Sequence, residues 1–185
     1  FHAELTVSFA REKLGTVLFP GSDYAGEVIP VEIGIGTKLF EENPEVCYTL
    51  EKSDLSKFLP DRKKNSHKGS YGKILMITGS KGMSGAAYLS ARAAYISGGG
   101  LVQIYTEESN RTILQQLLPE AIVSTYTEYE EEKLQSLLKW ADVICIGCGL
   151  GKSRTAGQIL SYLMKYAEVP CVIDADGLNL LADHM

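Results

Sequence analysis

Beyond Lys73 the chain alternates between two hydrophobic rhythms. KILMIT (Lys73–Thr78), LVQIYT (Leu101–Thr106), DVICI (Asp142–Ile146) and PCVID (Pro170–Asp174) are short apolar runs, and AIVSTY (Ala121–Tyr126) is a weaker one. Each has the length and bounding turns of a buried β-strand. Between them Ser84–Ser97, Asn110–Leu118, Glu130–Lys139 and Ser153–Tyr166 read as helices. Short apolar strands alternating with helices predict an α/β fold, a parallel sheet with helices on both faces. The helix after Ser84 carries Ala86, Ala87, Ala91, Ala93 and Ala94. Alanine favours helix, and side chains this small allow close packing on the sheet.

The pattern before Lys73 is different. Residues 1–36 hold two strand-like runs, LTVSFA (Leu5–Ala10) and EVIPVEIGI (Glu27–Ile35), around the turn-rich FPGSDYAG. Two strands cannot bury an apolar face by themselves, so this segment reads as the tail of a larger sheet. Residues 37–66 are charged and irregular and end in DRKKNS, which places a domain boundary there.

Charge and composition narrow the function classes. The chain has 185 residues, 45% of them hydrophobic, with a net charge of −5. A mildly acidic chain offers no broad footprint for nucleic acid or an anionic membrane. The one basic cluster, Arg62-Lys63-Lys64 with Lys68 nearby, reads as a solvated linker. No apolar run approaches the roughly 18 residues of a membrane span, and FHAELTVSFARE lacks the features of a signal peptide. Cys145 and Cys148 form a C-x-x-C, but no second Cys or His pair stands at metal spacing, which disfavours zinc. Reduced thiols in a cytoplasmic protein are expected. His2, His67 and His184 are scattered and suggest no Ser/His/Asp or Cys/His constellation.

In a parallel sheet the C-terminal ends of all strands lie on one edge, and ligands bind in crevices along it. Three turns leave strands at that edge: GSKGMSGA (Gly79–Ala86), GCGLGKS (Gly147–Ser153) and DADGLN (Asp174–Asn179). Gly79, Gly82 and Gly85 permit a tightly turned backbone, and the helix starting near Ser84 would aim free amides and a positive dipole end at an anion. Equally, the same glycines could serve only a tight strand-to-helix turn. Gly151-Lys152-Ser153 ends like a P-loop, yet G-x-x-x-x-G-K-[ST] needs glycine where Ile146 stands. That near miss argues against a Walker-type NTPase. Gly147, Gly149 and Gly151 would instead let the backbone pass close to a ligand. In the third turn Asp176 either caps a helix or, with Asn179, holds ribose or amide groups.

Taken together, HKGSYGKILMITGSKGMSGAA, the GCGLG turn and VIDADGLNLL resemble the dehydratase domain of the YjeF-related NAD(P)H-hydrate repair enzymes, whose fold is ribokinase-like. Residues 1–36 look like the end of the epimerase domain that precedes it in bifunctional members, 37–66 the junction, and 67–185 the first part of the dehydratase domain. The family usually has proline where Cys148 stands. The resemblance implies dehydration of (S)-NADHX or NADPHX driven by ADP or ATP with Mg2+, and K+ in the epimerase domain. It implies substrate-pocket positions at Ala86, Gly149, Asp176 and Asn179, with Gly79, Gly82, Ser84, Gly85, Gly147 and Gly151 as phosphate-turn candidates. The family's G-T-G-D turn, which carries the catalytic Asp, has no counterpart among these residues, nor do the epimerase's K+ ligands, so an internal fragment without activity of its own is expected. The rivals are a ribokinase-like small-molecule kinase and a non-catalytic module whose sheet edges pair with another chain, a homo-oligomer included.

Overall fold

A computed structural model describes residues 1–36, 38–41, 43, 45–59 and 61–183, which form two compact units, 1–61 and 62–185. His184, considered above, lies outside the described residues. In the first unit β1 (Leu5–Phe9) and β2 (Glu27–Val31) pair in parallel, Leu5 opposite Glu27 and Phe9 opposite Val31. Their connection contains α1 (Leu14–Val17) and α2 (Ser22–Ala25). β2 stops at Val31 rather than Ile35. The Glu32 carboxylate accepts the N–H groups of Ile33 and Gly34, each at 3.1 Å, and this turns the chain out of the strand. Leu5, Val7, Phe9, Ile29 and Val31 are all exposed, since one strand pair has too little surface to cover them. The stretch expected to be irregular contains two single helical turns, α3 (Lys38–Glu41) and α4 (Leu55–Phe58). A 3-10 turn at Lys52–Asp54, closed by a reciprocal cap between Glu51 and Asp54, leads into the second of them, and Asp54 pairs with Lys57 at 2.7 Å.

The second unit carries the alternation seen in the sequence. In chain order it runs β3 (Lys73–Ile77), α5 (Ser84–Ile96), β4 (Leu101–Glu107), α6 (Arg111–Leu117), β5 (Ile122–Tyr126), α7 (Glu131–Trp140), β6 (Val143–Ile146), α8 (Arg154–Tyr166), β7 (Cys171–Ile173) and α9 (Asp176–Ala182). All five strands are parallel, in the order β5-β4-β3-β6-β7. Successive residues of a strand point to opposite faces. Leu75, Ile77, Ile144 and Ile146 therefore pack with Leu134 and Leu138 of α7 and Ile159 and Leu163 of α8. Met76, Val102 and Ile104 pack with Ala87 and Ala91 of α5 and Leu114 of α6. The two alanines, one turn apart, are wholly buried, so α5 lies close on the sheet.

This winding positions the site. From β3 the chain builds outward through β4 and β5, then crosses back by α7 to β6 on the other side of β3. The connections leaving the neighbouring strands β3 and β6 thus depart to opposite faces of the sheet. A crevice opens between them at the C-terminal edge, the usual ligand position in an open parallel sheet.

Candidate functional site

The three glycine-rich turns meet at this crevice. The N–H groups of Gly79 and Ser80 donate to the carbonyls of Cys148 and Gly149 at 3.0 and 2.7 Å, which zips the turn after β3 to the turn after β6. Gly149 has φ +62°, and a Cβ there would stand 2.6 Å from the Ala86 methyl. The second turn therefore lies directly against the first turn of α5. Gly147 is equally constrained, because its Cβ would fall 1.9 Å from the Asp174 carbonyl oxygen. Gly82 and Gly85 differ: nothing lies within 4 Å of a Cβ at either position. Of the phosphate-turn candidates Gly79 and Gly147 serve close approach, as does the substrate-pocket position Gly149, whereas Gly82 and Gly85 leave open backbone beside the crevice. No side chain caps the start of α5; the Ala86 N–H turns back to the Met83 carbonyl at 3.2 Å, and the positive end of the helix dipole lies at that opening.

The third turn is tied in through a carboxylate. Asp176 Oδ2 accepts the Gly151 N–H at 2.8 Å, and Asn179 Nδ2 lies 3.4 Å from Asp176 Oδ1. Here the structure extends what the sequence indicated. Gly177 to Asn179, read as turn, belong to α9, and Asp176 is its first residue. Asp176 does not accept a bond from its own helix end as an N-cap would; its acidic charge in the first turn still favours the helix dipole. The residue before it, Ala175, has φ +48° and ψ −120°, a conformation costing an alanine on the order of 1–3 kcal/mol. That strained peptide swings the chain from β7 into α9 and aims Asp176 at Gly151.

A fourth participant was missed in the sequence. Asn110, buried at the entrance to α6, donates from Nδ2 to the Ser80 carbonyl at 3.0 Å and to Thr106 Oγ1 at 2.9 Å. Thr106 in turn donates to the Gly79 carbonyl at 3.0 Å. The first glycine turn is thus held from below by β4 and its exit. The available signal was position: TEESN leaves a strand at the same sheet edge as the three glycine turns.

The other candidate groups are engaged elsewhere. Ser153 Oγ accepts the Ala156 N–H at 3.1 Å as the N-cap of α8, and Lys152 Nζ pairs with Asp183 at 3.3 Å. Neither is poised as in a P-loop. Burial, with Cys148 beside it, pushes the Cys145 thiol up to about 11. The basic cluster lies beyond the opposite sheet edge, where Arg62 stacks 4.4 Å over Tyr71 and donates to the Gly98 carbonyl. Lys63 and Lys64 are exposed. A groove of about 640 Å3 runs along α8, lined by Tyr129, Tyr162, Tyr166 and Arg154 among others, and does not include the first glycine turn. No helix among the described residues is long and apolar enough to cross a membrane.

Comparison with known proteins places this arrangement. A family model for NAD(P)H-hydrate dehydratase matches residues 74–185. The bifunctional NAD(P)H-hydrate repair enzyme Nnr of Coxiella burnetii is 36% identical over 181 residues, covering 98% of this chain and 36% of the relative. The ADP-dependent (S)-NAD(P)H-hydrate dehydratase of Lactiplantibacillus plantarum is 42% identical over 130 residues, 69% of this chain and 46% of its own length. A ribokinase-like superfamily protein from Enterococcus faecalis superposes with a TM-score of 0.67 at 31% identity, over 76% of this chain and 51% of that one. The ADP/ATP-dependent NAD(P)H-hydrate dehydratase from Bacillus subtilis, co-crystallized with ATP/Mg2+, superposes with a TM-score of 0.56 at 29% identity, over 69% and 46%. The chain therefore spans between about a third and a half of the length of these relatives.

Proposed function

The chain belongs to the NAD(P)H-hydrate dehydratase family, and on that premise we propose that residues 67–185 are the substrate-holding part of an ADP-dependent (S)-NAD(P)H-hydrate dehydratase. The observation that carries the reading is the joining of three turns at one crevice, through the bonds from Gly79 and Ser80 to Cys148 and Gly149 and from Gly151 to Asp176. The hydrated cofactor is anionic and rich in hydroxyl and amide groups. The open backbone at Gly82 and Gly85 and the uncapped start of α5 from Ser84 suit its phosphates. Asp176 and Asn179 suit its polar groups, while Ala86 and Gly149 set how closely the two turns approach. A nucleotide, when bound, would activate the ring hydroxyl as a phosphate ester and make it a good leaving group.

No residue here is assigned to catalysis or to a metal. The described residues contain no group of three or more Asp, Glu, His or Cys able to hold a cation, so in this reading Mg2+ travels with the nucleotide. Residues 1–36 are read as the end of an epimerase domain, 37–66 as the junction and 67–185 as the start of the dehydratase domain. No K+ ligand is assigned among the first 36. A cytoplasmic setting and a pool of free NADHX and NADPHX belong to the same proposal.

The test separates binding from turnover. Incubation of these 185 residues with NADH hydrate is expected to raise the thermal midpoint, as any ligand of the folded state does. NADH itself should raise it less. No NADH should be regenerated with ADP or ATP present, because the G-x-G-D sequence does not occur in the chain. Protection by a phosphate-accepting alcohol and not by the hydrate would overturn the substrate assignment, and clear turnover would overturn the division of labour.

A further inference from the structure

Cys145 and Cys148 remain unexplained by the proposed reaction. All four cysteines are free thiols, and these two flank the point where β6 runs into the second glycine turn. Cys145 sits opposite Met76 and Val172 in the sheet register, on the α5 side, and packs against that core cluster. The chain reverses at Gly147, with φ +124°, so that the Cys148 carbonyl can accept the Gly79 N–H at 3.0 Å. The reversal leaves the Cys148 thiol 4.0 Å from Asp174 Oδ2, at the end of the strand adjacent to β6. Both thiols are partly exposed. Val172, opposite Cys145, and Asp174, two residues on, point to the same face, and the Asp174 N–H continues the ladder to the Ile146 carbonyl at 3.0 Å, so Cys148 approaches Asp174 on the side of the sheet that carries Cys145.

We propose that Cys145 and Cys148 form an oxidisable dithiol at the rim of the crevice, a modification site for small-molecule disulfides. Cys148, on the turn, reacts first. Its thiolate, having lost a proton to water, attacks one sulfur of RSSR; the S–S bond breaks and RS− leaves. Cys145 then gives up its proton and attacks Cys148 Sγ, expelling the second RS−. Two protein thiols are oxidised, one RSSR is reduced, and the protons released convert both RS− to RSH. Attack by a thiolate through a mixed disulfide is the general route of such exchange. Burial makes Cys145 the slower, resolving partner. The new bond pins Cys148, whose carbonyl, with that of Gly149, holds the first glycine turn. This inference rests on the thiols and not on the proposed reaction.

The test uses the full chain treated with 2-hydroxyethyl disulfide, then alkylated, digested and mapped by mass spectrometry. The expected product is a peptide linking Cys145 to Cys148, short by two hydrogens, with Cys47 and Cys171 as alkylated or singly adducted forms, and fully reversed by dithiothreitol. Cys145→Ala should stop at the mixed disulfide on Cys148, with complete loss of the closed form, and Cys148→Ala should leave Cys145 mostly alkylated. Far-UV circular dichroism of both variants checks that they fold, and the wild-type map stands even where one does not. A wild-type mixed disulfide on Cys148 that never closes, no reaction at Cys148, or pairing of Cys148 with Cys47 or Cys171 would each overturn the proposal.

Discussion

Gly149 shows how much one absent methyl group can matter. Gly149→Ala meets two separate costs: about 1–2 kcal/mol for the left-handed backbone and about 1–3 kcal/mol for overpacking against Ala86. Adding Ala86→Gly relieves the tightest part of the second cost, leaving the 3.2 Å approach to the Met83 Cβ and the first cost, and itself costs up to about 1 kcal/mol as a glycine in α5. Chemical denaturation of the single and double variants should therefore show partial rescue, and strict additivity would mean that the two residues do not meet. Ala175 predicts the opposite sign. Its φ of +48° belongs to glycine's range, so Ala175→Gly should raise stability by about 1 kcal/mol, although glycine usually destabilises. A lowered denaturation midpoint would contradict the strain. Gly149 could be singled out in the sequence because glycine itself signals unusual backbone. Ala175 could not, since alanine carries no such signal, and Asn110 was hidden because its value lies in which carbonyl it reaches.

At the level of the strands, the residues pointing toward α7 and α8 gather titratable groups in apolar surroundings. Tyr105 and Tyr126, on adjacent β4 and β5, pack with their rings tilted at 56° and ring centres 4.9 Å apart. Burial pushes the Tyr126 phenol up to about 12 and raises Tyr105 further still, and on the other face burial raises Cys145 to about 11. In each case the folded state holds its proton more tightly than the unfolded chain, with ordinary values of 9.0 for the thiol and 10.0 for the phenols. The associated stability is complete below about pH 9 and is lost as pH rises through the folded values near 11 and 12. The thermal midpoint should be level from neutrality to about pH 9 and fall beyond it. A level profile to pH 11 would show that these groups are better solvated than their burial indicates. The strands themselves were legible in the sequence to within a residue or two, because a buried parallel strand must be a continuous apolar run. β2 was overextended because the pattern VEIGI hides the turn made by Glu32.

The whole molecule is defined by what its outer strand leaves open. β7 closes one side of the five-stranded sheet, and Cys171 and Val172 are both exposed although they point to opposite faces. An apolar edge strand with unpaired amides is a template for another chain. Light scattering should show concentration-dependent association of the 185-residue protein, and Val172→Lys should shift it toward monomer. A wild-type protein that stays monomeric at its highest soluble concentration would remove that prediction. In the sequence the open edge figured only within a rival reading, a module whose sheet edges pair with another chain.

Local chemistry was enough to specify the alternation of strand and helix, the glycine turns and the likeness to a hydrate-repair family, because each depends on residues close together in the chain. Strand order was decided only in three dimensions. It depends on which buried faces match across the sheet, and periodicity along the chain carries no record of that. From the order β5-β4-β3-β6-β7 follow the crevice between β3 and β6, the bonds between the Gly79 and Cys148 turns, and the reach of Asn110 to Ser80. These contacts turn separate glycine-rich segments into one site.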